Sequence, residues 1–171
     1  MSLLVQDDTG TIAGANSYIT VAEFTAYHAS RDNVYTATDS KIETALVRAA
    51  DYLDQRFNFR GQKLTGRSQT TMWPRMSCWD NSNYPVNGIP VEVKDSQAEY
   101  ALRALTAALN PDPTSDATGA AVQAKLEVVG PIKEETTFVS GATFQIPNYP
   151  AADLKLTRAG LVVSGGRILR A

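Results

Sequence analysis

Ile42, Ala45, Leu46, Ala49, Leu53 and Phe57 fall at helical spacing, and no other pattern in the chain limits its fold as much. That spacing puts all six on one stripe of an α-helix, which must be buried against another element. It predicts a helix over Lys41–Phe57, opened by a capping box at Ser40-Lys41-Ile42-Glu43, with Arg48, Asp51, Asp54 and Gln55 largely on the wet side. A partner stripe follows Ile89-Pro90, where Val93, Ala98, Ala101, Leu102, Leu105, Ala108 and Leu109 predict a helix over Pro90–Leu109. Asn110-Pro111-Asp112-Pro113 stops it.

Shorter elements surround this pair. Thr20-Val21-Ala22-Glu23 is a second capping box, and Phe24, Tyr27 and His28 behind it predict a helix over Val21–Arg31. Leu3–Asn16 reads as an extended arm leading into a turn. Ala124–Gly130 alternates like a strand, with Pro131–Val139 as its hairpin partner across Gly130-Pro131. Ala151–Leu161 reads as a last short helix with Leu154 and Leu161 on one side. The expected fold is mainly α: a small helical bundle with a long irregular loop, a small β-hairpin at about 124–139 and an extended C-terminal tail. The expected division is a helical domain over 1–161 and a docking tail over 162–171.

A chain of 171 residues is long enough to bury a core without staples. Its single cysteine, Cys78, forms no intrachain disulfide, and the start Met-Ser-Leu-Leu-Val-Gln-Asp-Asp is no secretory signal, so a soluble protein made in a reducing cytoplasm is expected. No apolar run approaches the roughly 20 residues of a membrane helix. The net charge of −2 argues against a protein that grips nucleic acid by charge alone.

Residues with reactive chemistry are sparse. The only histidine, His28, sits beside Tyr27 and Phe24 and reads as a helix-face residue with a local hydrogen bond. Cys78, in Met76-Ser77-Cys78-Trp79, has no CxxC partner and reads as a structural thiol. One Cys and one His are too few for a zinc centre. The carboxylate pairs Asp7/Asp8, Asp51/Asp54 and Glu134/Glu135 read as solvated surface. Gly10-Thr11-Ile12-Ala13-Gly14 lacks the lysine and the strand-to-helix setting of a phosphate loop. No catalytic residue, metal ligand or cofactor is expected.

The stretch Asn58–Asn87 is a long irregular connection, and loops of that length tend to be functional. It holds both tryptophans, Trp73 and Trp79. From Arg48 to Arg75 there are six cationic residues against Asp51 and Asp54, interleaved with Phe57, Phe59 and Trp73. Basic residues among aromatics can form a single-strand binding surface, with Arg56, Arg60, Arg67, Arg75 and Trp73 as the contacts. The bland alternative makes the aromatics core anchors and pairs the arginines inside the fold.

A resemblance runs from about Val5 to Leu161. It is carried by Ala15-Asn16-Ser17-Tyr18-Ile19, Ala26-Tyr27-His28-Ala29, Ala45–Leu53, Phe59-Arg60-Gly61, Gln69, Trp73-Pro74-Arg75, Ile89-Pro90, Ala98–Leu102, Val128–Ile132 and Tyr149-Pro150. In these motifs the chain resembles the phage-encoded DnaT-like single-stranded-DNA-binding protein family, which is similar to the head–tail adaptor (head completion) proteins of tailed phages. The resemblance implies a helical subunit that joins copies of itself in a twelve-fold ring at the virion neck, between the portal and the tail. Its implied partners are itself, the portal protein and a tail or second neck protein. Genomic DNA would pass through the channel without specific recognition. Asn16 is expected to form a turn through its side chain, and Trp73, Pro74 and Arg75 to anchor the loop. Arg60, Arg67, Trp79 and Tyr84 are expected to face neighbouring subunits or the tail. Gly160, Leu161, Arg167, Ile168, Leu169 and Arg170 are expected to dock on the portal. A structural adaptor, a single-stranded-DNA-binding module and an enzyme are thus the three readings, in that order.

Overall fold

The computed structural model describes residues 2–111, 122–128, 133–138 and 147–163. Its contacts divide the chain into two units: Met1–Leu109 with Tyr149–Gly166, and Asn110–Asn148 with Arg167–Ala171. The first unit is helical. It contains α1 (Val21–Ala29), α2 (Asp39–Arg56), α3 (Val91–Ala104) and α4 (Pro150–Ala159), with the two-residue strands β1 (Gln62–Lys63) and β2 (Arg75–Met76) in the loop between α2 and α3. The second unit holds an antiparallel hairpin of β3 (Val122–Val128) and β4 (Lys133–Phe138). The mainly helical class with a small hairpin is therefore the observed one.

The stripe that opened the sequence reading is the buried face of α2: Ile42, Ala45, Leu46, Ala49 and Leu53 are all inside, joined by Ala50. Burying each of the larger side chains stabilises the fold by about 1.5–3 kcal/mol relative to leaving it wet. Helix α3 packs against both α2 and α4 and so occupies the middle of the unit. Its small residues Ala98, Ala101 and Ala104 are buried and permit that close approach.

Several boundaries differ from expectation. The Thr20–Glu23 capping box is present. The Ser40–Glu43 box is not: α2 starts at Asp39, whose charge favours a first turn, and the backbone N–H groups of Lys41 and Ile42 donate to Thr38 O. Helix α1 ends at Ala29, two residues early, because Ser30 caps it and Arg31 N already turns back to His28 O. Helix α3 ends at Ala104, and Leu109 reaches the core through turns. In α4 the buried residues are Ala152 and Leu156, and Leu154 is 47% exposed. The expected pairing of Leu154 with Leu161 therefore fails, because the 3.6-residue period that aims Ala152 and Leu156 inward turns Leu154 out. The hairpin lies two residues earlier on β3 than expected, with a register irregularity between Val122 and Ala124, and its turn falls outside the described residues.

The helical unit also has a polar centre. Gln97, fully buried on α3, accepts from Tyr18 N at 2.9 Å and donates to Ser17 Oγ at 2.8 Å and Leu46 O at 2.9 Å. One amide thus ties the α1 approach, α2 and α3 together. Gln97→Leu removes a polar group that every partner needs, and each orphaned buried group costs about 1–3 kcal/mol. The expected outcome is a loss of about 3 kcal/mol in urea unfolding, whereas the surface change Gln55→Leu leaves the midpoint nearly unmoved.

Candidate functional site

The long loop is a packed object. Trp73 is fully buried, edge-on to Phe59 with ring centroids 5.6 Å apart, and the Trp73–Pro74 peptide is cis. Arg75 is buried beside it, and its guanidinium donates to four backbone carbonyls: Arg60 O at 2.7 Å, Met72 O at 3.0 Å, Phe59 O at 3.2 Å and Gly61 O at 2.7 Å. Its planar fork reaches acceptors that a lysine could not serve together. Gln69, also buried, donates to Thr71 O and Pro74 O, both at 3.0 Å. The start of the chain is pinned similarly: Asn16 Oδ1 accepts from Leu4 N at 2.8 Å and its Nδ2 donates to Ser2 O at 3.1 Å.

Asp54 joins this loop to the helices. Its carboxylate accepts from the Tyr18 hydroxyl at 2.5 Å and from Met72 N at 2.9 Å, so it is no wet-side residue. Burial pushes its pKa up from 3.8 to about 6, and the hydrogen bonds from Tyr18 and Met72 offset only part of that rise. The neighbouring Asp51 is exposed, so the expected surface pair is split between solvent and interior.

The nominated nucleic-acid contacts are not brought together. Arg56 pairs with Asp153 at 2.6 Å and donates to the Tyr52 hydroxyl at 2.8 Å. Trp73 and Arg75 are inside, leaving only Arg60 and Arg67 of that set exposed. The four residues expected to face neighbours, Arg60, Arg67, Trp79 and Tyr84, are all on the surface.

Trp79 and Tyr84 are 50% and 69% exposed, yet the ribbon that carries them is firmly held. Val86 N donates to Cys78 O at 2.9 Å and Asp80 N to Tyr84 O at 3.0 Å, closing a small hairpin. Asp80 Oδ1 accepts from Ser82 N and Tyr84 N at 2.8 and 2.9 Å and fixes the tip. Asn81 then fastens the tip to the end of α4, donating to Arg158 O at 2.7 Å and Ala159 O at 3.1 Å. Between them lies a shallow groove of about 150 Å³ lined by Asp80, Ser82, Val86, Pro90, Glu92 and Arg158, among others.

Of the expected portal-docking residues, Gly160 and Leu161 belong to the fold. Gly160 caps α4 at φ +73°, and a Cβ there would lie 2.2 Å from Asn81 Oδ1. Leu161 is buried, and its carbonyl accepts from Arg60 N at 2.9 Å. Val162 is buried and bridges to Phe59. Arg167, Ile168, Leu169 and Arg170 lie outside the described residues.

The remaining reactive groups serve the interior. His28 is fully buried, with Nε2 3.0 Å from Ala98 O and Nδ1 3.0 Å from Asn33 Nδ2. Burial lowers its pKa, which keeps the ring neutral near neutral pH. Burial likewise raises the Cys78 thiol. Asp8 accepts from Ile89 N at 2.8 Å. Among the described residues, no group of three or more His, Cys, Asp or Glu side chains could hold a metal ion. No described helix is long and apolar enough to cross a membrane.

The profile of the family described as "Putative DnaT-like ssDNA binding protein" matches residues 1–170. The chain belongs to this family. No curated protein matches it. No solved structure matches it either. The residues that carry the resemblance are mostly interior: Tyr18, Gln69, Trp73 and Arg75 are buried, and with Asn16 they hold the arm and loop in place. Sequence reasoning missed Gln97 and Asp54. A signal for Gln97 existed, since it lies four residues after Val93 and four before Ala101, on the apolar stripe itself.

Because native Asp54 titrates at about 6 against 3.8 ordinarily, the folded chain takes up a proton in that window that the unfolded chain does not. This group's contribution to stability therefore rises as pH falls through about 6 toward 4 and is lost again as pH rises. Relative to Asp54→Asn, the wild-type protein should gain about 1 kcal/mol between about pH 7 and pH 5 in paired urea titrations.

Proposed function

We propose that this chain is a structural subunit with no catalysis of its own: a head–tail adaptor of a tailed bacteriophage. In this reading, copies form a ring at the virion neck between the portal and the tail, and the ring extends the channel through which the genome passes. The subunit would be made in the host cytoplasm.

The observation that carries the reading is how the side chains are allotted. Trp73 and Arg75, which a strand-binding surface would need, are buried inside the fold, and Arg56 is half-buried and held by Asp153. Trp79 and Tyr84 are presented on a braced ribbon, 50% and 69% exposed, with nothing among the described residues covering them. Rigid aromatic residues held in solvent at low entropic cost are the side chains that most often dominate protein–protein contacts. The near-neutral charge fits a wall that DNA slides past better than a surface that DNA sticks to.

A second reading is favoured by the family's description, which names single-stranded DNA binding. Arg60 and Arg67 are exposed and would be its cations, with Trp79 as a stacking platform.

Two measurements separate the readings. Electron-microscopic class averages of the protein mixed with its portal should show rings on a common axis, and Trp79→Ala with Tyr84→Ala should cut ring yield at least about tenfold while leaving the melting temperature nearly unchanged. Labelled oligonucleotides should show no salt-sensitive anisotropy change at low salt; a steep salt-dependent affinity would instead select the strand-binding reading. Removal of Gly160–Ala171 would unfold the helical unit, since Leu161 and Val162 are core. A chain ending at Val163 should fold and lose portal attachment, and a truncated chain that still joined the portal would end the docking role of the tail.

A further inference from the structure

Asn87 stands directly before Gly88, and no other asparagine of the chain precedes a glycine. The pair joins the ribbon that carries Trp79 and Tyr84 to the start of α3. Asn87 is exposed. Among the described residues, neither its side-chain amide nor the Gly88 N–H has a hydrogen-bond partner.

The fold leaves no choice at position 88. Gly88 adopts φ +69°, and a Cβ there would lie 2.6 Å from Asp8 Oδ1 and 2.7 Å from Asp8 Cγ. Asp8 is not free to withdraw, because the same Oδ1 accepts from Ile89 N at 2.8 Å. A left-handed residue pressed against a held carboxylate has to be glycine. Its amide nitrogen is consequently the least shielded that a main chain can offer to the side chain before it. The main chain is pinned on both sides of the pair: Val86 N donates to Cys78 O at 2.9 Å, and Ile89 N to Asp8.

We propose that Asn87–Gly88 is a self-modification site, where the chain converts its own asparagine through a cyclic imide into aspartate and isoaspartate. The Gly88 nitrogen attacks Cγ of Asn87 and forms a new C–N bond. The bond from Cγ to the side-chain nitrogen breaks, and the proton from Gly88 leaves with that nitrogen as ammonia. Water then opens the imide. Opening at the side-chain carbonyl restores the original main chain and leaves aspartate. Opening at the main-chain carbonyl routes the chain through the former side chain and leaves isoaspartate. Nothing is oxidised or reduced, and water is the only co-reactant.

The other described asparagines lack these conditions. Asn16 and Asn81 precede serines, and their amides are held by Ser2 O and Arg158 O. Asn33 Nδ2 lies 3.0 Å from His28 Nδ1. Asn58 and Asn83 precede aromatic residues, and Asn110 precedes a proline, which has no N–H. At position 87 both products add a carboxylate next to the segment that Asp8 already faces. Isoaspartate also lengthens the main chain by a methylene between the two tethers, so Ile89 N is expected to release Asp8.

The test holds the full folded chain at mildly alkaline pH and body temperature for days. Fragment masses of the peptide Met76–Lys94 locate new acid, and an isoaspartyl methyltransferase with a labelled methyl donor counts isoaspartate. Conversion at position 87 should run at least about tenfold faster than at Asn81 or Asn83, because the residue that follows has no Cβ. It should speed up as pH rises, since the attacking nitrogen must lose its proton, and isoaspartate should form alongside aspartate. Asn87→Gln should remove most methyl acceptance at an unchanged melting temperature, because the longer side chain closes its ring far more slowly. In the isoaspartyl fraction, the Ile89 amide should exchange several-fold faster than in Asn87→Asp, which has the charge without the added methylene. Four results would each overturn the proposal: Asn87 intact in the folded chain when the urea-unfolded chain has converted, acid at Asn81 or Asn83 as fast as at 87, aspartate without isoaspartate, or methyl acceptance undiminished in Asn87→Gln. Equal Ile89 exchange in the isoaspartyl fraction and Asn87→Asp would overturn the loosening of the junction.

Discussion

The hydrogen bond between Asp54 and the Tyr18 hydroxyl is the point on which the helical unit turns. The same carboxylate receives Met72 N, and the same hydroxyl receives Met72 N and Trp73 N at 3.0 and 3.3 Å. A helix, the chain's opening arm and the long loop meet there. A charge this deep is costly, and it is tolerated because each oxygen has a donor. The loop's order follows from it: with Met72 and Trp73 held, Arg75 is delivered to its carbonyls and Gln69 to Pro74.

That order settles which residues are left to meet other molecules. An arginine whose donors all end on backbone carbonyls contributes its charge to the interior and little to a partner. The loop therefore offers solvent a selected set of side chains, Arg60, Arg67, Met76, Trp79 and Tyr84, on a frame that cannot easily collapse around them. Preorganised surfaces of this kind lose little entropy on contact, which is where recognition without chemistry gains its strength.

The helices were legible because their signal is periodic and local. Ile42 through Leu53 could satisfy only one arrangement, and the Thr20–Glu23 box is a contact within a single turn. What escaped was set by partners distant in the chain. Asp54 sits among polar residues on α2, and only Tyr18 and Met72, 36 and 18 residues away, turn it inward. Arg56 and Arg75 look alike to Arg60 and Arg67 in sequence; tertiary acceptors alone separate the pair that are bound from the pair that are exposed. Gly160, expected from the resemblance to dock on the portal, instead ends α4 as its left-handed cap. The chain beyond it nevertheless re-enters the core at Leu161 and Val162.

The same glycine links two regions that the primary structure keeps far apart. Asn81 occupies the space where a side chain at 160 would begin. The end of α4 and the aromatic ribbon are consequently one mechanical part, and a push on Trp79 or Tyr84 would be felt at the helix cap. Even the backbone nitrogen of Asn81 would lie 2.9 Å from a Cβ at 160, so a lineage that gives up this glycine must move the ribbon itself and cannot adjust by trimming the side chain at 81.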